Sequence, residues 1–202
     1  DMKANVQNLF DVVKTTFSDA VASITFNGKT TTGLLASPFT LSAMGFASPD
    51  SPSEGSSVMA RSDQLDACKP GDPITVGAYG YIVTSYSIDQ VGAIHTIGLS
   101  QPFDKEASFT GTRRDGAGIR ELFTTVPCII TGGQANDSQS GSFLPSSERS
   151  FMLVVRSVDW SDTGKPQSGD AVAITDYPAL KVVSSIPVLG GWNVELRTKG
   201  TD

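Results

Sequence analysis

Histidine, cysteine and positive charge are all scarce in this chain, and each scarcity closes a line of argument. Its 202 residues hold 1 His, which is His95, and 2 Cys, which are Cys68 and Cys128. Two thiols without clustered histidines do not make a zinc site. A lone histidine with no nucleophile paired to it gives no triad. Lys and Arg number 15 against 21 Asp and Glu, a formal charge of −6. That balance removes the diffuse positive field on which counterion-release binding to nucleic acid depends. No apolar run approaches the ~20 residues of a spanning helix, and the amino end lacks the basic-then-apolar order of a signal peptide. A cytosolic or virion protein without a membrane partner is therefore expected. No Gly-x-Ser-x-Gly elbow occurs. Gly116-Ala117-Gly118 is not a phosphate loop, because no Lys-Ser/Thr and no helix start follow it. The residues thus predict no enzyme, no cofactor and no metal. The two cysteines read either as free thiols of a reduced compartment or as a bridge that forms after assembly.

What the chain does have is turns. With 39% hydrophobic residues, 18% charged, 20 Gly and 11 Pro it reads as globular and turn-rich. One helix is expected over Asn5 to Val21, where Val6, Leu9, Phe10, Val13, Phe17, Ala20 and Val21 fall at three- and four-residue steps. The apolar stripe predicts a packing element, laid over the first sheet or docked on a neighbouring subunit. Ser23 to Thr30 then alternates around Asn27-Gly28, a pair suited to a two-residue hairpin turn, and a second strand is expected over Thr32 to Ala36. Phe39 to Val58 reads as a long loop around Ser48-Pro49-Asp50-Ser51-Pro52-Ser53-Glu54-Gly55. Its polarity and length predict either disorder or a binding arm. An antiparallel meander follows, with Lys69-Pro70-Gly71-Asp72 as a turn and His95 as a half-exposed residue of its last strand.

The order then recurs about a hundred residues later. Phe109 to Gly118 restates the hairpin with Asp115-Gly116 in place of Asn27-Gly28. Gln134 to Arg149 restates the polar loop. Phe151 to Asp159 answers Ser57 to Asp63, and Gly169-Asp170 answers Gly71-Asp72. Only the helix has no counterpart. The fold expected is mainly β: two small antiparallel barrels or sandwiches in tandem, residues 1–103 and 104–202, with one amino-terminal helix and a linker at Gln101 to Ser108. Arg113-Arg114 is the sole paired basic site, placed by the pattern on a hairpin tip, where it reads as a candidate contact for a phosphate or an acidic partner.

The first unit resembles the lambda-type head-to-tail joining (tail attachment) proteins of long-tailed bacteriophages. The likeness lies in the amino-terminal helix, the Ser23 to Ala36 hairpin, Val58-Met59-Ala60-Arg61-Ser62-Asp63, Pro70-Gly71-Asp72-Pro73-Ile74-Thr75-Val76 and Gly80-Tyr81-Ile82-Val83. These are short motifs covering about half the chain, and the second unit departs from the family. The resemblance implies a structural virion protein of the phage neck, assembled in the host cytoplasm. It implies a ring of six or twelve copies joining the portal, or connector, of the filled head to a tail terminator or other tail protein. DNA would pass through the lumen without specific binding. It also implies that Phe46, Ser48, Pro49, Asp50, Pro52, Glu54 and Val58 form an assembly-contact loop. Two other readings stand beside it: a tail terminator, tail-tube or baseplate barrel of the same particle, and a carbohydrate- or cell-surface-binding module with Trp160, Trp192 and Tyr177 as stacking faces.

Overall fold

A computed structural model describes residues 1–36, 56–115, 118–135, 149–161 and 165–198. The chain divides into two compact units, Asp1–Pro102 and Phe103–Asp202. Unit 1 contains α1 (Met2–Thr16), β1 (Val21–Phe26), β2 (Lys29–Ala36), β3 (Ser57–Arg61), β4 (Pro73–Val76), β5 (Tyr79–Ile88) and β6 (Ile94–Leu99). Its strands form a closed antiparallel barrel in the order β1-β2-β3-β6-β5-β4, sealed where Ile24 and Thr25 pair with Val76 and Thr75. Alternation fixes which side chains enter, since successive residues of a strand face opposite ways. Ile24, Phe26, Val58, Ala60, Ile74, Val76, Val83, Ile97 and Leu99 fill the interior. Leu34, Met59 and Ile94 face outward and receive Phe10 of α1.

Unit 2 is the same barrel without the helix. Its strands are β7 (Lys105–Asp115), β8 (Gly118–Ala135), β9 (Arg149–Arg156), β10 (Ala171–Ile174), β11 (Leu180–Val188) and β12 (Gly191–Thr198). Around the barrel they run β7-β8-β9-β12-β11-β10, the order of unit 1 strand for strand. The likeness reaches individual bonds. Gly71 and Gly169 both take φ +95°. Each donates its amide to the next-but-one strand, to the Val83 carbonyl at 2.8 Å and the Val182 carbonyl at 2.9 Å. Asp72 and Asp170 accept from the amides of Lys69 and Gln167 at 2.8 and 2.9 Å. A register shift follows at the same place, between Val83 and Ser85 and between Val182 and Ser184. The duplication expected from sequence is thus a duplication of topology.

Several boundaries differ from expectation. The helix ends at Thr16, and Val21 opens β1, because Ser18–Ala20 tighten into a 3-10 turn. Val58 does not belong to a loop: it sits in β3, fully buried, since its side chain points into the barrel beside Ala60. Phe46, Ser48, Pro49, Asp50, Pro52 and Glu54 lie outside the described residues. Lys105 to Ser108 are strand and not linker, because all four pair with β8 and Ala107 and Ser108 also close the second barrel against β10. The Asn27-Gly28 hairpin is as predicted, with both residues at positive φ, 48° and 75°.

A side chain at Gly169 would meet nothing within 4 Å, so only the left-handed backbone opposes one there. Gly169→Ala and Gly71→Ala are each expected to destabilise their unit by about 1–2 kcal/mol. Urea unfolding checks this, and the two costs should match if the turns are the same device.

Candidate assembly surfaces

The β7–β8 hairpin is where unit 2 leaves the common plan. Register pairs Ser108 with Thr125 as Thr25 pairs with Thr30. The hydroxyls of each pair touch, at 2.8 and 3.0 Å. Beyond that rung unit 1 turns after one more pair, whereas β7 and β8 stay paired out to Asp115 and Gly118. The result is an arm that outruns its counterpart. Arg113 stands on this arm, but it is not a partner contact, which corrects the expectation. It is buried, and its guanidinium forks onto Asp170 with Nη1–Oδ1 and Nη2–Oδ2 both 2.7 Å. Strand parity explains this: Arg113 shares the inner face with Phe109. Gly111 between them leaves the room, since a Cβ there would run into the Asp170 carboxylate. Arg114, one residue on, faces outward and is exposed. Its cross-strand neighbour is Ile119, and the same face carries Glu121 and Phe123. Ile119 and Phe123 are 67% and 75% exposed, the latter among the barest large apolar side chains described.

Unit 1 differs from unit 2 in α1. Arg61 of β3 pins the helix, its Nη1 on Asp11 at 2.6 Å while Nε and Nη2 fork onto Asp63 at 3.0 and 2.7 Å. Hydrogen bonding to Asp63 and then Asp11 holds the guanidinium charged, and the same fork lowers the Asp63 carboxyl. Lys14 adds a bond to the Thr32 hydroxyl at 2.9 Å. In unit 2 the matching arginine, Arg156, turns to Asp159 at 2.5 Å and lies over the Phe103 ring at 5.2 Å. The apolar stripe is only partly used: Phe10 is buried, but Leu9 on α1 and Phe17 just past its end are 61% and 45% exposed. A helix on a curved barrel touches it along a narrow line, so the flank of a wide stripe stays in water. Along the helix edge, Val6, Met59, Ser87, Ile88, Asp89, Ile94 and Thr96 line a cleft of about 220 Å³. Asp89 is fixed there, its Oδ1 accepting from the amides of Ala93 and Ile94 at 2.5 and 3.1 Å.

His95 is buried at 4% exposure and not half-exposed, because it shares the inward parity of Ile97 and Leu99. Tyr86 meets it edge-on at 5.3 Å, and its Nδ1 has no hydrogen-bond partner. Burial, with help from Lys3, lowers its pKa against smaller opposite effects of Asp89 and Asp66. Cys68 and Cys128 are free and buried. Burial, reinforced by nearby carboxylates, pushes the thiols up to about 11 and about 12, which keeps both protonated and unreactive. Trp160 is a core residue at 7% exposure, meeting Phe109 at 5.0 Å and Trp192 at 5.9 Å. Trp192 and Tyr177 are partly buried against the same core, so Trp160 is a core residue and offers no stacking face. Among the described residues no three His, Cys, Asp or Glu side chains are grouped to hold a metal ion.

The chain is thus a tandem of two six-stranded antiparallel barrels. No family model matches it, and no curated protein does. It is similar to a solved structure of the Bacillus subtilis inhibitor of motility, MotI/DgrA, at 9% identity over 90% of this chain and 87% of that one. The TM-score of 0.21 is too low to carry an argument.

Asp170→Ala is expected to cost unit 2 about 3–5 kcal/mol, because the buried Arg113 guanidinium loses both bonds of the fork. The half-exposed Asp72 has one backbone amide to lose, and Asp72→Ala should cost unit 1 about 1 kcal/mol. Both tryptophans lie in unit 2, so their fluorescence in a urea titration reads the first value. His95 gives a pH dependence. Its folded pKa lies below the ordinary 6.5, so the unfolded chain binds the proton first. Unit 1 should keep its full stability above pH ~6.5 and lose it as pH falls through the folded pKa. Near-UV dichroism melts between pH 4 and 7 check this, and His95→Phe should flatten the slope.

Proposed function

We propose that this protein is a structural component of a tailed-phage neck, a ring subunit between the portal complex and the tail. The observation that carries the reading is apolar surface left open on two closed barrels. Met2, Leu9 and Val12 on α1, Ile119 and Phe123 on the arm, and Ile186 and Leu189 near the β11–β12 turn are each at least 60% exposed. So much open aliphatic and aromatic surface suits a chain whose contacts are made with other subunits. The family likeness adds to it. Met59 and Arg61 of the likened stretch hold the helix, and Pro70 to Val76 form the Gly-Asp turn that closes the barrel. Subunits in a ring meet through heterologous faces that close on themselves, with six or twelve copies expected. A net charge of −6 suits a lumen through which DNA slides without being held. The subunit works by contact and not by turnover, and it needs no cofactor.

Labelled antibody against the purified chain, imaged on intact particles, is expected to mark the head–tail junction in a symmetric collar. Label on the tail shaft or baseplate would favour a tube or baseplate barrel, and absence of the polypeptide from purified particles would end the neck reading.

A further inference from the structure

We infer that the subunits join head to tail by seating the β7–β8 arm of one copy in the α1-edge cleft of the next. This deepens the ring reading and rests on it. The first support is that the two units share one plan, and that two of their departures from it are complementary. Unit 1 alone has α1, which with β3, β5 and β6 makes the cleft. Unit 2 alone has the outrunning hairpin. One departure is a concave apolar site and the other a projecting apolar face, and each belongs to a different half of every copy. Made in one direction only, from each copy to the next, such a pair is a heterologous contact, the kind that generates rings.

Chemistry agrees on both sides. The cleft has apolar walls in Val6, Met59, Ile88 and Ile94, and its volume of about 220 Å³ is on the scale of one aromatic side chain. Phe123, 75% exposed, is such a side chain, with Glu121 and then Ile119 farther along the same face. At the cleft Asp89 supplies a carboxylate, and Lys3 stands one helical turn before Val6. On the arm the exposed charges are Arg114 and Glu121. Docking sets Arg114 against Asp89 and Glu121 against Lys3, opposite charges in each case. The buried Arg113–Asp170 fork keeps the arm stiff, so little ordering entropy opposes the docking.

Disulfide trapping tests the contact, and it is clean because both native thiols are buried. Phe123→Cys and Ile88→Cys replace exposed side chains and should leave the fold intact. At millimolar protein under mild oxidation, the chain carrying both changes is expected to give a ladder of covalent multimers ending at the ring number. An equimolar mixture of the two single variants should give the mixed dimer, and each single variant alone little. Adding Arg114→Glu should cut the yield several-fold, with recovery in 1 M salt. Dimers of the Phe123→Cys chain with itself, or a bond formed only within one chain, would overturn the arm-in-cleft contact. So would a missing ladder. A lysine-reactive cross-linker applied to the unmodified chain separates the two failures. Ring-sized products there with no disulfide ladder sink this contact alone, and only monomers in both sink the ring reading with it.

Discussion

Barrel closure is the constraint on which everything else rests. A six-stranded sheet of short strands becomes a barrel only if its last strand is brought back to its first, and in both units that return is made by a glycine-aspartate turn. The glycine takes a backbone conformation that other residues resist, and the aspartate carboxylate holds the turn from within. One strand later an extra residue shifts the register and increases the local twist. Take the turn away and β4 or β10 has no reason to lie beside β1 or β7. The interior would then open at that seam, and the outward features that the barrels carry would lose their footing.

Those features arise from small edits to one plan. The arginine that ends β3 reaches outward to a helix, and the one that ends β9 folds onto its own turn and a phenylalanine ring. The aspartate of the first turn is half in water, while its twin is fully buried under a guanidinium. Burying that pair is costly unless both charges are satisfied, and the bidentate geometry satisfies them. Its effect is to turn a hairpin extension into a fixed projection.

Much of this was legible in the residues. Asn27-Gly28, Gly71-Asp72 and Gly169-Asp170 announce their turns because few other residues tolerate those backbones, and the recurrence of Val-Arg-Ser or Ala-Arg-Ser marks the second copy. What was missed was parity. His95 shares its strand face with Ile97 and Leu99, and Arg113 shares its face with Phe109, so counting by twos from a secure core residue places both inside. Charge and polarity argued the other way, and for Arg113 the compensating Asp170 lies 57 residues off along the chain, beyond any local pattern. The helix stripe was read too wide for the same kind of reason. Period alone says which residues share a face and not how much of that face a curved surface will cover. The cleft had no sequence signal, since its walls come from four separate elements.

Each barrel has a core of its own: the cluster around Ile24, Val58 and Leu99 shares no member with the one around Phe109, Leu153 and Leu196. A half that is internally complete can change its outer residues without disturbing its twin. One half can therefore carry a helix and the other a longer hairpin without either change reaching the core of its twin.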